Sequence, residues 1–207
     1  MRHIRLASVF AVLFTLVACG GGDDPQDTDG DNTDSDTDVT LPKPAQTMVT
    51  IATNMGSFEI QLYDEEAPVT TENFLFYVDS GFYDGSDGIG PTIFHRVVDD
   101  FVIQGGGETE GGLQKDTELP IENESKKKRS NLTGTVAMAR TSDPDSATSQ
   151  FYVNLADNTF LDGGSTDGYA VFGEVVSGMD VVEDIGRVAV DMEMPLDPVI
   201  MEAVTRN

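Results

Sequence analysis

The sequence predicts a mainly β fold, with a mostly antiparallel sheet that closes most economically as a barrel. Three observations lead there. Short segments of alternating apolar and polar residues recur from Val49 to the C-terminus, and turn-forming clusters separate them. Only two stretches carry helical spacing, without the strand-helix-strand alternation of a parallel sheet.

Val49 and Ile51, then Phe58, Ile60 and Leu62, alternate on either side of Asn54-Met55-Gly56. Two half-buried strands joined by a tight turn account for that pattern. After Pro68 the period changes. Val69, Asn73, Phe76 and Tyr77 recur at helical spacing, Pro68 suits a helix start and Gly81 suits its end. Further strands are expected at Thr92 to Val98, Val102 to Gly105, Thr135 to Ala139, Gln150 to Asn154, Ala170 to Val176 and Val199 to Val204. A second, short helix is expected at Met179 to Ile185.

Ahead of this domain (47–207) the composition changes twice. Residues 1–18 carry Arg2 and Arg5, then the apolar run Leu6 to Val17. That run is shorter than the roughly 20 residues needed to span a bilayer, so it reads as a secretory signal peptide. Leu16-Val17-Ala18-Cys19 resembles the bacterial lipobox, which implies a lipoprotein signal peptide and lipidation of Cys19, the only cysteine in the chain. No disulfide can therefore form within the chain. Residues 19–46 hold eight aspartates and few apolar groups, the composition of a disordered, self-repelling tether. A calcium-loop pattern aligned on Gly30 fails there, because Pro25 falls at the first ligand position. These features predict a domain lipid-anchored in the bacterial cell envelope. Gly20 after the cysteine points to the outer membrane where two membranes exist.

Acidic residues number 37 against 12 basic, a formal net charge of −25. Without the leader's two arginines, and without Lys43 and the eight aspartates of the tether, the domain from Thr47 still carries −20. Such a field disfavours nucleic acid and anionic lipid surfaces as partners. Lys126-Lys127-Lys128-Arg129 reads as a solvated loop in that background.

No nucleophile stands beside a base, and no cluster has metal-ligand spacing. The informative stretch is "FHRVVDDFVIQGGG" from Phe94 to Gly107. With "GTVAMARTSDPDSATSQFYVNLADNTFLDGG" (Gly134 to Gly164), "YAVFGEVVSGMDVVEDI" (Tyr169 to Ile185) and "APVTTENF" (Ala67 to Phe74), it resembles the cyclophilin family of peptidyl-prolyl cis-trans isomerases, prokaryotic branch. The resemblance implies a closed eight-stranded antiparallel β-barrel capped by two α-helices, no metal, no organic cofactor, a monomer, and proline-containing polypeptides as substrates. It implies Arg96 and Gln104 as catalytic residues. It places Phe101, Val102, Tyr152 and Leu161 in the proline pocket, Ala139, Arg140 and Gln150 along the backbone groove, and Phe160 and Tyr169 at its edge.

The chemistry suits an arginine. Rotation about an X-Pro bond has a barrier of about 18–20 kcal/mol because the amide nitrogen shares its lone pair with the carbonyl. In the twisted state that lone pair is localised and can accept a hydrogen bond. Guanidinium offers planar donors, charged at any physiological pH. A three-residue loop through Phe101 would set Arg96 opposite Gln104 on one face, whereas a two-residue turn would separate them. His95 alternates away from Arg96 and reads as a satisfied structural histidine; Gly105 to Gly107 read as a turn leaving a strand. The chain departs from the family pattern at Val102, where methionine is common, and at Tyr152, where phenylalanine is usual. Phe160, replacing the tryptophan of many eukaryotic members, implies weaker cyclosporin binding. These departures keep open an alternative, a non-catalytic module that binds proline-containing segments. Ser86 to Pro91 reads as an insertion.

Overall fold

The computed structural model describes residues 46–127, 129–163 and 167–207. The leader 1–18, the lipidation candidate Cys19 and the tether through residue 45 lie outside the described residues. In chain order come β1 (Met48–Thr53), β2 (Gly56–Leu62), α1 (Pro68–Asp79), β3 (Thr92–Val98), β4 (Val102–Thr109), β5 (Thr135–Met138), β6 (Phe151–Asn154) and β7 (Val171–Ser177). Helix α2 (Met179–Gly186), the short strands β8 (Val190–Asp191) and β9 (Met194–Pro195), and β10 (Val199–Arg206) follow.

Eight strands close into an antiparallel barrel in the order β1-β10-β3-β4-β6-β5-β7-β2. Because β2 returns to β1, the barrel leaves no open sheet edge for a foreign strand. Its interior is filled by side chains, as in other small barrels. Val49, Ile51, Phe58, Ile60, Leu62, Phe94, Ile103, Phe151 and Phe172 are all essentially inaccessible to solvent. Helix α1 adds Phe74, which meets Phe151 edge-on at 5.4 Å and Phe172 at 5.1 Å, while α2 adds Val182 and Ile185.

Strands β5 and β6 are buried at every position, since both their faces are covered. Val136, Met138, Phe151 and Val153 point into the barrel. Ala137 and Tyr152 point outward into a second apolar cluster with Tyr63, Val102 and Val171. That outer cluster floors the candidate site.

The glycine run corrects one expectation. Gly105 to Gly107 lie inside β4 instead of leaving it. Gly106 has φ +81°, and a Cβ there would stand 2.8 Å from the Tyr83 ring; a Cβ on Gly107 would stand 2.4 Å from the Gln150 amide. Glycine is a poor strand former, so its density hid the second half of β4.

Two tertiary contacts had no sequence signal. The α1 N-terminus has no side-chain cap from Ala67; Glu124 Oε2 instead accepts from both the amide and hydroxyl of Thr70 at 2.8 Å. A carboxylate there satisfies free N–H groups and complements the helix dipole. The Ser86–Pro91 segment is closed by pairing of Asp84 with Pro91 and stapled by Lys115. The Lys115 side chain is fully buried, donating to Phe82 O and to Gly90 O at 2.9 Å and pairing with Asp87 at 2.7 Å. Burial pushes the Asp87 carboxyl up, but the Lys115 bond and the Ile89 amide outweigh it and hold it below the ordinary value.

Candidate active site

The β3-β4 connection is the three-residue loop Asp99-Asp100-Phe101, with Asp100 at φ +53°. Arg96 therefore pairs with Gln104, and Val98 with Val102. Strand β6 pairs Tyr152 with Gln104, and β5 pairs Ala137 with Tyr152. Side chains two apart on a strand share a face, so Val102, Gln104 and Tyr152 form one outward surface.

A pocket of about 220 Å³ opens on that surface, lined by Arg96, Phe101, Val102, Gln104, Ala139, Arg140, Tyr152, Leu161 and Tyr169. Two of the candidate residues stand outside this lining. Gln150 lies behind Gln104, accepting its Nε2 at 3.0 Å. Phe160 is 72% exposed and stacks on the Phe101 ring at 5.8 Å between centroids and 16° between planes.

A buried polar network holds the pocket floor. The Tyr152 hydroxyl donates to Asn131 Oδ1 at 2.7 Å, giving the extra oxygen at this position a partner. The Asn131 amide and Nδ2 donate to Asp162 Oδ1 at 2.6 and 2.9 Å, and Ser130 donates to the other Asp162 oxygen. Asn158 Nδ2 donates to Phe101 O and to Asn154 Oδ1, both at 2.9 Å, so the same network reaches the opposite wall. Burial raises the Tyr152 hydroxyl far above the ordinary phenol range, keeping it neutral. Burial pushes the Asp162 carboxyl up, while the donors from Ser130 and Asn131 outweigh it and hold it low.

The two pocket arginines are held differently. Arg140 donates from Nη1 to Thr141 O at 2.8 Å, from Nη2 to Asp167 O at 2.7 Å, and from Nε to Gly168 O at 3.3 Å. Its Cζ also sits 4.4 Å from the Tyr169 ring centroid. The Arg96 side chain makes a single hydrogen bond among the described residues, from Nε to Glu193 Oε2 at 2.7 Å. Its Cζ lies 5.6 Å from the Phe101 centroid. No side-chain hydrogen bond joins Gln104 to Arg96 among the described residues; the direct hold on the guanidinium comes from Glu193.

Glu193 escaped the sequence reading because its hairpin did. Strands β8 and β9 are two residues each, and their turn, Met192 (φ +47°) and Glu193 (φ +72°), uses left-handed backbone without glycine or asparagine. Asn131 and Asn158 had no local signal for their part in the site, since Tyr152 and Asp162 lie 21 and 31 residues from Asn131 and Phe101 lies 57 from Asn158.

His95 is absent from the pocket lining. Its Nδ1 is buried 3.8 Å from Glu108 Oε1 and makes no hydrogen bond among the described residues, unlike the satisfied histidine expected. Burial holds its pKa below the ordinary value, against the Glu108 charge and helped by Arg96. Among the described residues, no three His, Cys, Asp or Glu side chains are placed to hold a metal ion.

A sequence profile of the family described as Cyclophilin type peptidyl-prolyl cis-trans isomerase/CLD matches residues 48–206. The chain is 53% identical over 145 residues to a peptidyl-prolyl cis-trans isomerase of Acinetobacter baylyi, covering 70% of this chain and 74% of that one. It is 48% identical over 167 residues to peptidyl-prolyl cis-trans isomerase B of Escherichia coli, covering 76% and 98%. A crystal structure of a cyclophilin type peptidyl-prolyl cis-trans isomerase from Cryptosporidium parvum shares the fold, with TM-score 0.65 and 24% identity over 78% of this chain and 98% of that one. Matched along nearly the whole barrel and about half identical to bacterial members, this chain belongs to the cyclophilin-type peptidyl-prolyl cis-trans isomerase family.

Proposed function

We propose that this protein accelerates rotation about X-Pro bonds in exported polypeptides, with Arg96 as the catalytic donor. The observation that carries the reading is a guanidinium sharing a pocket with Phe101, Val102, Tyr152 and Leu161, its terminal nitrogens without a protein partner among the described residues. Phe101, Val102, Tyr152 and Leu161 grip the proline ring, and the preceding carbonyl swings toward solvent. As the amide twists, its nitrogen regains a localised lone pair, and an Arg96 N–H donates to it. No proton is transferred and no bond to the enzyme forms. A preorganised donor of this kind contributes roughly 10²- to 10³-fold in rate. Gln104, held by Gln150, and Ala139 line the path of the substrate backbone.

A protease-coupled assay on a proline peptide tests this. Arg96→Ala should lose about 10²-fold in kcat/KM. Equal rates for Arg96→Ala and the unmodified protein would favour the non-catalytic binder. The lipobox-like stretch supports anchoring in the cell envelope through Cys19. Cys19→Ser should then move the protein from the membrane to the soluble fraction, and unchanged partitioning would refute anchoring.

A further inference from the structure

The β8-β9 hairpin lies against the catalytic strand, and its turn carries a carboxylate where geometry favours glycine. Pairing of Val190 with Pro195 and of Asp191 with Met194 leaves Met192-Glu193 as a two-residue turn. Both residues have positive φ, at +47° and +72°, a conformation rare for residues with a Cβ. Turns of this kind normally take Asn-Gly or Gly-Gly. Strain held by surrounding structure, next to a site, is grounds for a functional hypothesis. Here the surroundings are specific. The Val97 amide donates to Glu193 O at 2.7 Å, fixing the turn to β3, and the Glu193 side chain accepts from Arg96 Nε at the same distance.

We propose that Glu193 is a positioning residue for the isomerase reaction, holding the Arg96 guanidinium by its Nε so that the terminal nitrogens remain presented to the substrate amide. This rests on Arg96 being the catalytic donor. An arginine side chain is long and samples many rotamers, and Arg96 is one-third exposed. Two contacts confine it: the Phe101 ring, and the carboxylate at Nε. Surface ion pairs often add little to stability; the hairpin's contribution is to orientation. Masking of the arginine is the opposite reading, but Glu193 engages the inner nitrogen while Arg96 still lines the pocket.

Four variants test it: Glu193→Gln, Glu193→Gly, Arg96→Ala and Arg96→Ala with Glu193→Gln. Each is measured for kcat/KM by the protease-coupled assay, for affinity toward the same proline peptide by NMR titration, and for Tm. Replacing a charge-assisted bond by a neutral one should lower kcat/KM about fivefold for Glu193→Gln. Peptide affinity should change by less than about twofold, the pattern of an interaction made in the transition state. Glu193→Gly, which removes the bond altogether, should be impaired at least as much although its Tm is maintained or raised, because glycine relieves the turn. With Arg96→Ala already present, Glu193→Gln should cost nothing further. A Glu193→Gln protein at or above the original rate overturns the proposal, as does an equal loss in the Arg96→Ala background. An Arg96→Ala protein at the original rate instead brings down the assignment of Arg96, on which this one stands.

Discussion

Removing the two ends of the bond beneath the proline pocket should have unequal consequences. The Tyr152 hydroxyl, in a residue 4% exposed, donates to Asn131 Oδ1 at 2.7 Å. Tyr152→Phe deletes the donor, but Asn131 Oδ1 keeps a longer bond from Asn154 Nδ2 at 3.3 Å. The cost is then that of one net hydrogen bond, about 1 kcal/mol. Asn131→Ala does more. It strands the Tyr152 hydroxyl, at about 1–3 kcal/mol, and removes the Nδ2 bond to the Asp162 carboxylate, at about 1.5–3 kcal/mol. The backbone amide of residue 131 still reaches Asp162, and Asn154 Nδ2 keeps Thr135 Oγ1 at 3.0 Å, so neither is orphaned. The expected total is about 2.5–6 kcal/mol. In the double variant no hydroxyl is left to strand, so it should be as stable as Asn131→Ala or slightly more so. Urea unfolding midpoints at constant m measure all three. The reasoning fails if the two losses add within about 0.5 kcal/mol, as they would for independent sites. Tyr152→Phe should keep the isomerase rate, since its hydroxyl is committed to the network and only its ring serves the pocket.

Lys115→Met should keep the volume of a buried side chain while removing the donor to two carbonyls and leaving Asp87 with only the Ile89 amide at 3.0 Å. Because Asp87 is partly open to water, the loss is set at about 2–3 kcal/mol, a Tm lower by roughly 5–10 °C in calorimetry. An unchanged Tm would show that Lys115 does not staple the Ser86–Pro91 segment. Stability should also fall through His95 as pH drops below its ordinary value of 6.5. Its folded pKa is depressed below the ordinary 6.5, chiefly by burial, so the fold favours the neutral ring. That contribution is present above 6.5 and is lost as pH falls through the folded value. The depressed carboxylates Asp87, Asp157, Asp162 and Glu193 act in the same direction, but only nearer their ordinary range around pH 4. His95→Gln should therefore flatten the pH dependence of the unfolding midpoint below 6.5, and an unaltered slope would assign it elsewhere.

Local periodicity carried β1 and β2, where burial alternates with the pleat, and β3 begins and ends where the sequence pattern does. It failed where backbone geometry ran against residue preference. Gly106 and Gly107 sit mid-strand to admit Tyr83 and Gln150, and Met192-Glu193 form a left-handed turn that no composition rule favours. Of the candidate site, the Arg96–Gln104 pairing was legible because one residue more in the loop reverses the face. The network through Asn131, Asn158 and Asp162 was not, since it joins residues far apart in the chain whose meeting depends on the closed sheet. Glu124 reaching Thr70 across 54 residues is the same case.

The pocket arginines show how far residue type falls short of role. Both carry the same charge and border the same cavity. Arg140 spends its donors on the carbonyls of Thr141, Asp167 and Gly168 and lies over Tyr169, so it fastens one wall. Arg96 spends only Nε. Loss of either should therefore slow catalysis with different signatures. Arg140→Ala frees the 167–169 segment and Tyr169 from their anchor. Gly168 O still accepts from Asn123 Nδ2 at 2.9 Å, and the other two carbonyls can reach water, so the cost is about 2–3 kcal/mol. A lower Tm and a raised KM follow, with kcat falling by less than about tenfold. Arg96→Ala orphans no buried group, so its Tm should hold while kcat falls. If Arg140→Ala kept its Tm and lost kcat as Arg96→Ala does, Arg140 would also be a donor to the substrate, and the carbonyl contacts would be a resting arrangement.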